Sequence, residues 1–236
     1  MEMMTKLEQA LDDLRDGRIV LVYDSDDREM ETDMVIASEK VTQDSIRTLR
    51  RDAGGLICTT IHADISDQIG LPFLADVFSS VVEKYPVMGY LTPNDIPYDT
   101  KSAFSITINH RKTFTGITDH DRALTISEFT KLASHAMDHS NGWAMKEMGM
   151  NFRAPGHVIL LNTSKDLLIK RKGHTELSTS LMMMADLVPS ATICEMMGDD
   201  GRALSKEKAK EYGDRYGLAF LEGKEVVEAW NRWKGE

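Results

Sequence analysis

The sequence predicts an α+β fold, a mixed β-sheet covered by helices in three layers, with residues 1–236 forming a single domain. Three observations predict it. Apolar runs of strand length, Ile19 to Tyr23 and Met34 to Ala37, flank one polar loop as antiparallel neighbours do. Helical periodicities such as Leu7, Ala10, Leu11 and Leu14 are mixed among such runs, without the strict alternation of a doubly wound sheet. Finally, 236 residues that are 42% hydrophobic and 28% charged are enough for one substantial core.

Taken in order, the chain opens with an amphipathic helix that Gly17 ends. Ile19 to Tyr23 and Met34 to Ser38 read as strands, and Thr42 as the cap of a helix running to about Arg51, stopped by Gly54-Gly55. Leu56 to Ile61 reads as a strand, followed by a short helical piece from Asp64 to Ile69. Phe73 to Lys101, with Pro86, Pro93 and Pro97, reads as an irregular excursion. Alternation of Phe104, Ile106 and Ile108 marks a strand ending near His110. Thr125 and Glu128 have capping-box spacing for a helix to about Met137, and residues 138–152 are ambiguous. Three strands are expected beyond: His157 to Leu161, Leu167 to Lys170 and Ala191 to Met197. A helix from about Thr175, ended by Pro189, separates the last two. Ser205 caps a further helix, Leu218 to Leu221 is a short strand, and Val226 to Trp233 closes the chain.

Composition removes several function classes. A formal net charge of −10 argues against a general nucleic-acid binder, so an anionic ligand must meet a local basic cluster. No run approaches the roughly 18 apolar residues of a membrane span, and Met1 to Lys6 leads into a helix rather than a signal peptide, so a cytoplasmic protein is expected. Cys58 and Cys194 lie in apolar runs and are expected as buried thiols. Met182-Met183-Met184 reads as helix core and surface filler. No phosphate loop, dinucleotide fingerprint, nucleophile elbow or HExxH zinc motif occurs.

Two stretches carry chemistry. Asp24-Ser25-Asp26-Asp27-Arg28-Glu29-Met30-Glu31-Thr32-Asp33 crowds six carboxylates around one arginine, and like charges so close need water, a cation or a basic partner. It is either a solvated loop or a cation site. Glu29, Glu31 and Asp33 alternate, so an extended backbone points them to one side, where they suit a hard divalent ion such as Mg²⁺. Arg171-Lys172-Gly173-His174-Thr175-Glu176 precedes a helix, and a helix start with Arg171, Lys172, the Thr175 hydroxyl and a permissive Gly173 forms either an ordinary basic turn or a phosphate-sized site. His174 can join the stretches as a metal ligand. His157, after Ala154-Pro155-Gly156, is a candidate acid or base, and Glu195 is a carboxylate in an apolar strand that needs a cation, hydrogen-bond donors or a raised pKa. Asp24, Glu31, Cys58 and Thr115 are second-tier pocket candidates. Such a set suits enolisation of a hydroxyketone or phosphoester hydrolysis, and spacing does not separate them.

The motifs together resemble the 3,4-dihydroxy-2-butanone 4-phosphate synthase family in order and spacing from about residue 5 onward. They are Asp27-Arg28-Glu29-Met30-Glu31-Thr32-Asp33-Met34, Phe114-Thr115-Gly116-Ile117-Thr118 with Asp121-Arg122-Ala123, Arg153-Ala154-Pro155-Gly156-His157-Val158, Arg171 to Glu176, and Ile193-Cys194-Glu195-Met196-Met197. The undivided length resembles the single-function form. The resemblance implies a riboflavin-pathway lyase that converts ribulose 5-phosphate to 3,4-dihydroxy-2-butanone 4-phosphate and formate. The expected steps are metal-stabilised enediolate formation, dehydration, skeletal rearrangement and loss of one carbon. It implies Mg²⁺ or Mn²⁺, two ions per site, and a homodimer with sites near the subunit interface. Glu29 and His174 match metal ligands. Arg28, Glu29, Asp33, Arg171, Lys172, Gly173, His174, Thr175 and Glu195 match substrate contacts. His157 and Glu195 match catalytic positions, and Asp33 is expected to share their acid–base work. Met30 and Thr32 depart from the Asn and Gly of many relatives, and Lys172 from a frequent Ala. A metal-dependent phosphatase, releasing phosphate rather than formate, and a non-catalytic sugar-phosphate binder are the alternatives.

Overall fold

The computed structural model describes residues 5–99 and 101–235. Met1 to Met4, from which the sequence argues against a signal peptide, lie outside them, as do Thr100 of the proline-rich excursion and Glu236. The described strands are β1 (Val20–Tyr23), β2 (Thr32–Ala37), β3 (Cys58–Ile61), β4 (Phe104–His110), β5 (Phe152–Asn162), β6 (Ala191–Glu195) and β7 (Phe220–Glu222). They form one sheet in the order β4-β5-β3-β6-β2-β1-β7. The strands flanking the acidic loop, β1 and β2, pair antiparallel, β3 runs parallel to β5, and β1 runs parallel to β7, so the sheet is mixed.

Both faces of the sheet are covered, which is why its central strands read as unbroken apolar runs. Successive side chains point to opposite faces. On one side Leu21, Met34, Ile36, Ile108, Val158 and Leu160 pack under α2 (Gln43–Thr48), α3 (Ala63–Ile69), α6 (Asp119–Ala136) and α9 (Lys206–Tyr216). On the other, Val20, Val22, Val35, Leu161 and Ile193 pack under α1 (Lys6–Arg15), α8 (His174–Met184) and α10 (Gly223–Lys234). The helices α4 (Leu74–Ser80), α5 (Val87–Tyr90) and α7 (Trp143–Asn151) complete the set among the described residues. The three expected layers are therefore present.

Local chemistry sets most boundaries. Thr5 and Glu8 form a reciprocal capping box at α1, and Thr42 and Ser45 form one at α2. Ser205 caps α9 as expected. Four expectations need correction. Leu167 to Lys170 is not a strand but a single 3₁₀ turn, Leu167–Ile169, which buries Leu167 and Leu168 in the core layer that α8 covers. Burial of those two leucines satisfies the run without a ladder partner, while Ile169 stays exposed. The helix expected from Thr125 starts at Asp119, because Thr118 accepts from the Asp121 N–H as its cap. The Thr125 hydroxyl instead takes the His110 N–H at 3.0 Å and pins α6 to β4. Gly173, not Thr175, is the N-cap of α8. The excursion from Phe73 contains two short helices, and the ambiguous 138–152 stretch contains α7.

Candidate active site

The acidic loop and the start of α8 meet over the C-terminal end of β6. Asp33 of β2 and Glu195 of β6 are direct cross-strand partners, so their side chains leave the sheet together toward α8. His174, the first residue of α8, fills the space above them: Nδ1 is 3.2 Å from Glu29 Oε2, and Nε2 is 3.2 Å from the Glu31 carbonyl and 3.7 Å from Asp33 Oδ1. Each of these partners of the ring nitrogens is an acceptor. Only an imidazolium satisfies both nitrogens, and although burial opposes the charge, Asp33, Glu29 and Asp24 push the His174 pKa up to about 10.

The acidic cluster is correspondingly strained in charge. Burial, reinforced by Glu195, Glu29 and Glu31, raises Asp33 to about 8 against the pull of His174. Its Oδ1 is buried with no hydrogen-bond partner. Burial would also lift Glu29, but the hydrogen bond and charge of His174, with Arg171 and Arg28 behind it, hold it below the usual range. Burial and the charges of Glu29 and Glu195 raise Glu31. The loop itself is tied down by Asp24, whose two oxygens accept the N–H groups of Glu29 (2.9 Å) and Glu31 (3.1 Å). The expected extended alternation holds only from Thr32 on. Glu29 lies in a turn, and Met30 has φ +57°, in the left-handed region that a straight-chain residue rarely enters.

Glu195 is oriented from the opposite side. Its Oε2 accepts the Leu56 N–H at 2.7 Å, and its carbonyl accepts the Gly55 N–H at 3.0 Å. A Cβ on Gly55 would collide with the Glu195 carboxylate, so glycine is what permits this approach. Beyond, Arg171 spans two acids: Nη1 is 2.6 Å from the buried Glu176 and Nε is 2.5 Å from Asp99. Asp99 also lies 3.5 Å from Arg28, whose guanidinium sits over the Tyr98 ring at 5.7 Å.

One pocket is lined by Glu29, Asp33, Asp99, Arg171, His174, Thr175 and Glu195, with Tyr98, Phe104, Leu161 and Ile193 as its less polar wall. It brings together most of the expected residues. Arg28 is half-buried behind Asp99, Gly173 lies against the Arg171 guanidinium, and Asp24 acts as a brace for the loop. Lys172, His157 and Thr115 are exposed and do not line it. Cys58 and Cys194 are both buried free thiols raised by burial, as expected of core residues, and Glu31 contributes its backbone carbonyl. Asp99, Glu176 and the Leu56 N–H were not legible as site elements. For Asp99 the only available signal was the need of two arginines for counter-charge.

The donor atoms of Asp24, Glu29 and His174 lie within 4.8 Å of one another, a spacing that can hold an ion. No helix is long and apolar enough to cross a membrane among the described residues. The model of the family described as 3,4-dihydroxy-2-butanone 4-phosphate synthase matches residues 8–229. A protein of that name from Methanothermobacter thermautotrophicus is 48% identical over 235 residues, 99% of this chain and 100% of that one. The crystal structure of the Candida albicans protein of that name matches with a TM-score of 0.70 at 28% identity, covering 97% of this chain and 98% of that one. A further structure of that name, in complex with two magnesium ions, matches with a TM-score of 0.74 at 24% identity over 98% and 99% of the two chains.

Proposed function

The chain belongs to the 3,4-dihydroxy-2-butanone 4-phosphate synthase family, and from that premise we propose that the pocket over β6 is where ribulose 5-phosphate is converted to 3,4-dihydroxy-2-butanone 4-phosphate and formate. The observation that carries this is the facing pair Asp33 and Glu195 beneath the Glu29–His174 pair at the start of α8. A phosphate suits the far end of the pocket, where Thr175 and the first N–H groups of α8 lie beside Arg171. The ketone and its hydroxyls then fall over the carboxylates, oriented by the anchored phosphate.

A divalent cation fits this donor set: the crowded carboxylates, the unpartnered buried Asp33 oxygen and the Asp24, Glu29 and His174 atoms all favour one. Glu29 and His174, the latter giving up a ring proton, would hold it as Mg²⁺ or Mn²⁺, with two ions per site. When bound, it supplies Lewis-acid stabilisation to negative charge on vicinal oxygens. Glu195, held by the Leu56 N–H, and Asp33, facing it, are placed to move protons at neighbouring carbons. Tyr98, Phe104 and Leu161 limit water at that end.

His157 is proposed as catalytic although it lies outside the pocket lining. It stands on the α8 face of β5, two residues before Ile159, which pairs with Cys58. Exposed Phe114 (94%) and Ile117 (51%) flank Thr115 nearby. We take this apolar edge as the homodimer surface, through which a second copy completes the site; a cytoplasmic enzyme is the matching location.

The deciding experiment follows formate and inorganic phosphate released from ribulose 5-phosphate by the purified protein, with Mg²⁺ and with excess EDTA. Metal-dependent formate without phosphate is expected. Phosphate without formate would point to a hydrolase, and neither product to a binding protein.

A further inference from the structure

Asn109 is 3% exposed and sits where β4 and β5 lose register. Ile108 pairs with Val158, but the next residue, Asn109, pairs with Arg153, so residues 154–157 arch away from the ladder. The Asn109 amide fills that arch. Its Oδ1 accepts the His157 backbone N–H at 2.8 Å, and its Nδ2 is 3.3 Å from the Thr115 carbonyl oxygen and 3.1 Å from His157 Nδ1.

Two of these partners leave no choice of role. A peptide N–H only donates and a carbonyl only accepts, so together they fix which end of the amide is oxygen and which is nitrogen. With one Nδ2 hydrogen on Thr115, the other points at His157 Nδ1, which must therefore accept. The Asn109 oxygen is farther from Nδ1, at 3.4 Å, and is already engaged with the peptide N–H. The ring hydrogen then resides on Nε2. Both neighbouring glycines serve this arrangement. Gly116 has φ +98°, and a Cβ there would strike the Asn109 amide; a Cβ on Gly156 would strike the Ile108 backbone. The glycines of two sequence motifs thus let the chain close around one residue that neither motif contains, Gly116 against its side chain and Gly156 against its backbone.

We infer that Asn109 is a positioning residue that fixes His157 as the neutral Nε2–H tautomer, so that the imidazole meets the substrate as a hydrogen-bond donor rather than as a base. This rests on the catalytic role proposed for His157. A neutral imidazole stabilises a developing oxyanion through its hydrogen bond alone, with no proton transferred in full. The proton transfers then fall to Glu195 and Asp33, which divides the acid–base work among the three.

The test begins with nitrogen-15 NMR of the histidine rings in the full-length protein, assigned with His157→Ala. The expected pattern for His157 is a protonated Nε2 and a bare Nδ1. Asn109→Asp keeps an acceptor for the His157 N–H but presents a carboxylate to Nδ1, so the hydrogen should move to Nδ1. Formate-release kcat should then fall on the order of 100-fold, as for loss of one oxyanion donor, with KM within about twofold. In a His157→Ala background, Asn109→Asp should cost nothing further. A protonated Nδ1 in the wild type, an unmoved tautomer in Asn109→Asp, or losses that multiply in the double variant would each overturn the inference. Wild-type kcat in His157→Ala would instead remove the catalytic premise, while the NMR pattern still judges the tautomer by itself.

Discussion

Arg171→Leu tests whether this arginine belongs to the scaffold as much as to the ligand. Its Nη1 is 2.6 Å from Glu176 Oε2, and Glu176, 0% exposed, also accepts the Ser164 N–H at 2.9 Å. Even with Arg171 beside it, burial holds the Glu176 carboxyl above its ordinary value. Removing the guanidinium leaves a buried charge without its counter-ion, a loss of about 3–5 kcal/mol. At about 2–4 °C per kcal/mol for a chain of this length, the melting temperature should fall by roughly 6–20 °C at neutral pH. The pH dependence has a definite sign. A carboxyl whose folded pKa lies above its unfolded 4.5 holds more protons when folded, so its stability contribution is present at acid pH and is lost as pH rises. The deficit of Arg171→Leu should therefore be small near the unfolded value of 4.5 and grow toward neutrality. Thermal unfolding of wild type, Arg171→Leu and Arg171→Leu/Glu176→Leu at both ends of that range measures it, and the double variant should recover most of the loss. A single variant melting within about 2 °C of wild type at neutral pH, or a double variant no more stable than the single, would refute the reasoning.

Glu29→Gln and His174→Ala should each abolish formate release while far-UV circular dichroism stays native; near-wild-type turnover in either would break the metal-site assignment. Phe129 is fully buried, with its ring edge-on to Phe152 at a centroid distance of 6.2 Å. Phe129→Ala should cost about 3–5 kcal/mol in urea unfolding and leave kcat at low temperature within about twofold, since the side chain is remote from the pocket lining. Met30→Gly should raise stability by about 1 kcal/mol, because a residue without Cβ enters the left-handed region freely; a melting temperature that fails to rise would show that Met30 is held there by contacts of equal value.

Much of the architecture was legible because its signals are local. Alternation in β4, the Thr42 and Ser205 caps and the paired runs around the acidic loop each depend on a few neighbouring residues. The errors arose where tertiary contacts overrode such signals: Thr125 has a cap's spacing but gives its hydroxyl to β4, and Leu167 to Lys170 has a strand's composition but is used as a buried turn. Motif recognition found Glu29, Asp33, His174 and Glu195, which the fold brings to one pocket. Asp99 and Asn109 were missed for a different reason. Each acts by bridging segments distant in sequence, and neither has a neighbour in its own stretch that betrays the partner.

The order of strands has a consequence for how the chain acquires its chemistry. β6 lies between β3 and β2 but is translated after both, so until it arrives each of those strands has an edge of unpaired N–H and C=O groups. A growing chain must keep those edges apart, a nonlocal and slow topology exposed to mispairing. When β6 inserts, the same register that closes the sheet sets Glu195 against Asp33. Joining β3 to β2 and pairing the two carboxylates are therefore a single event, which only the edge strand β7 and the last two helices follow.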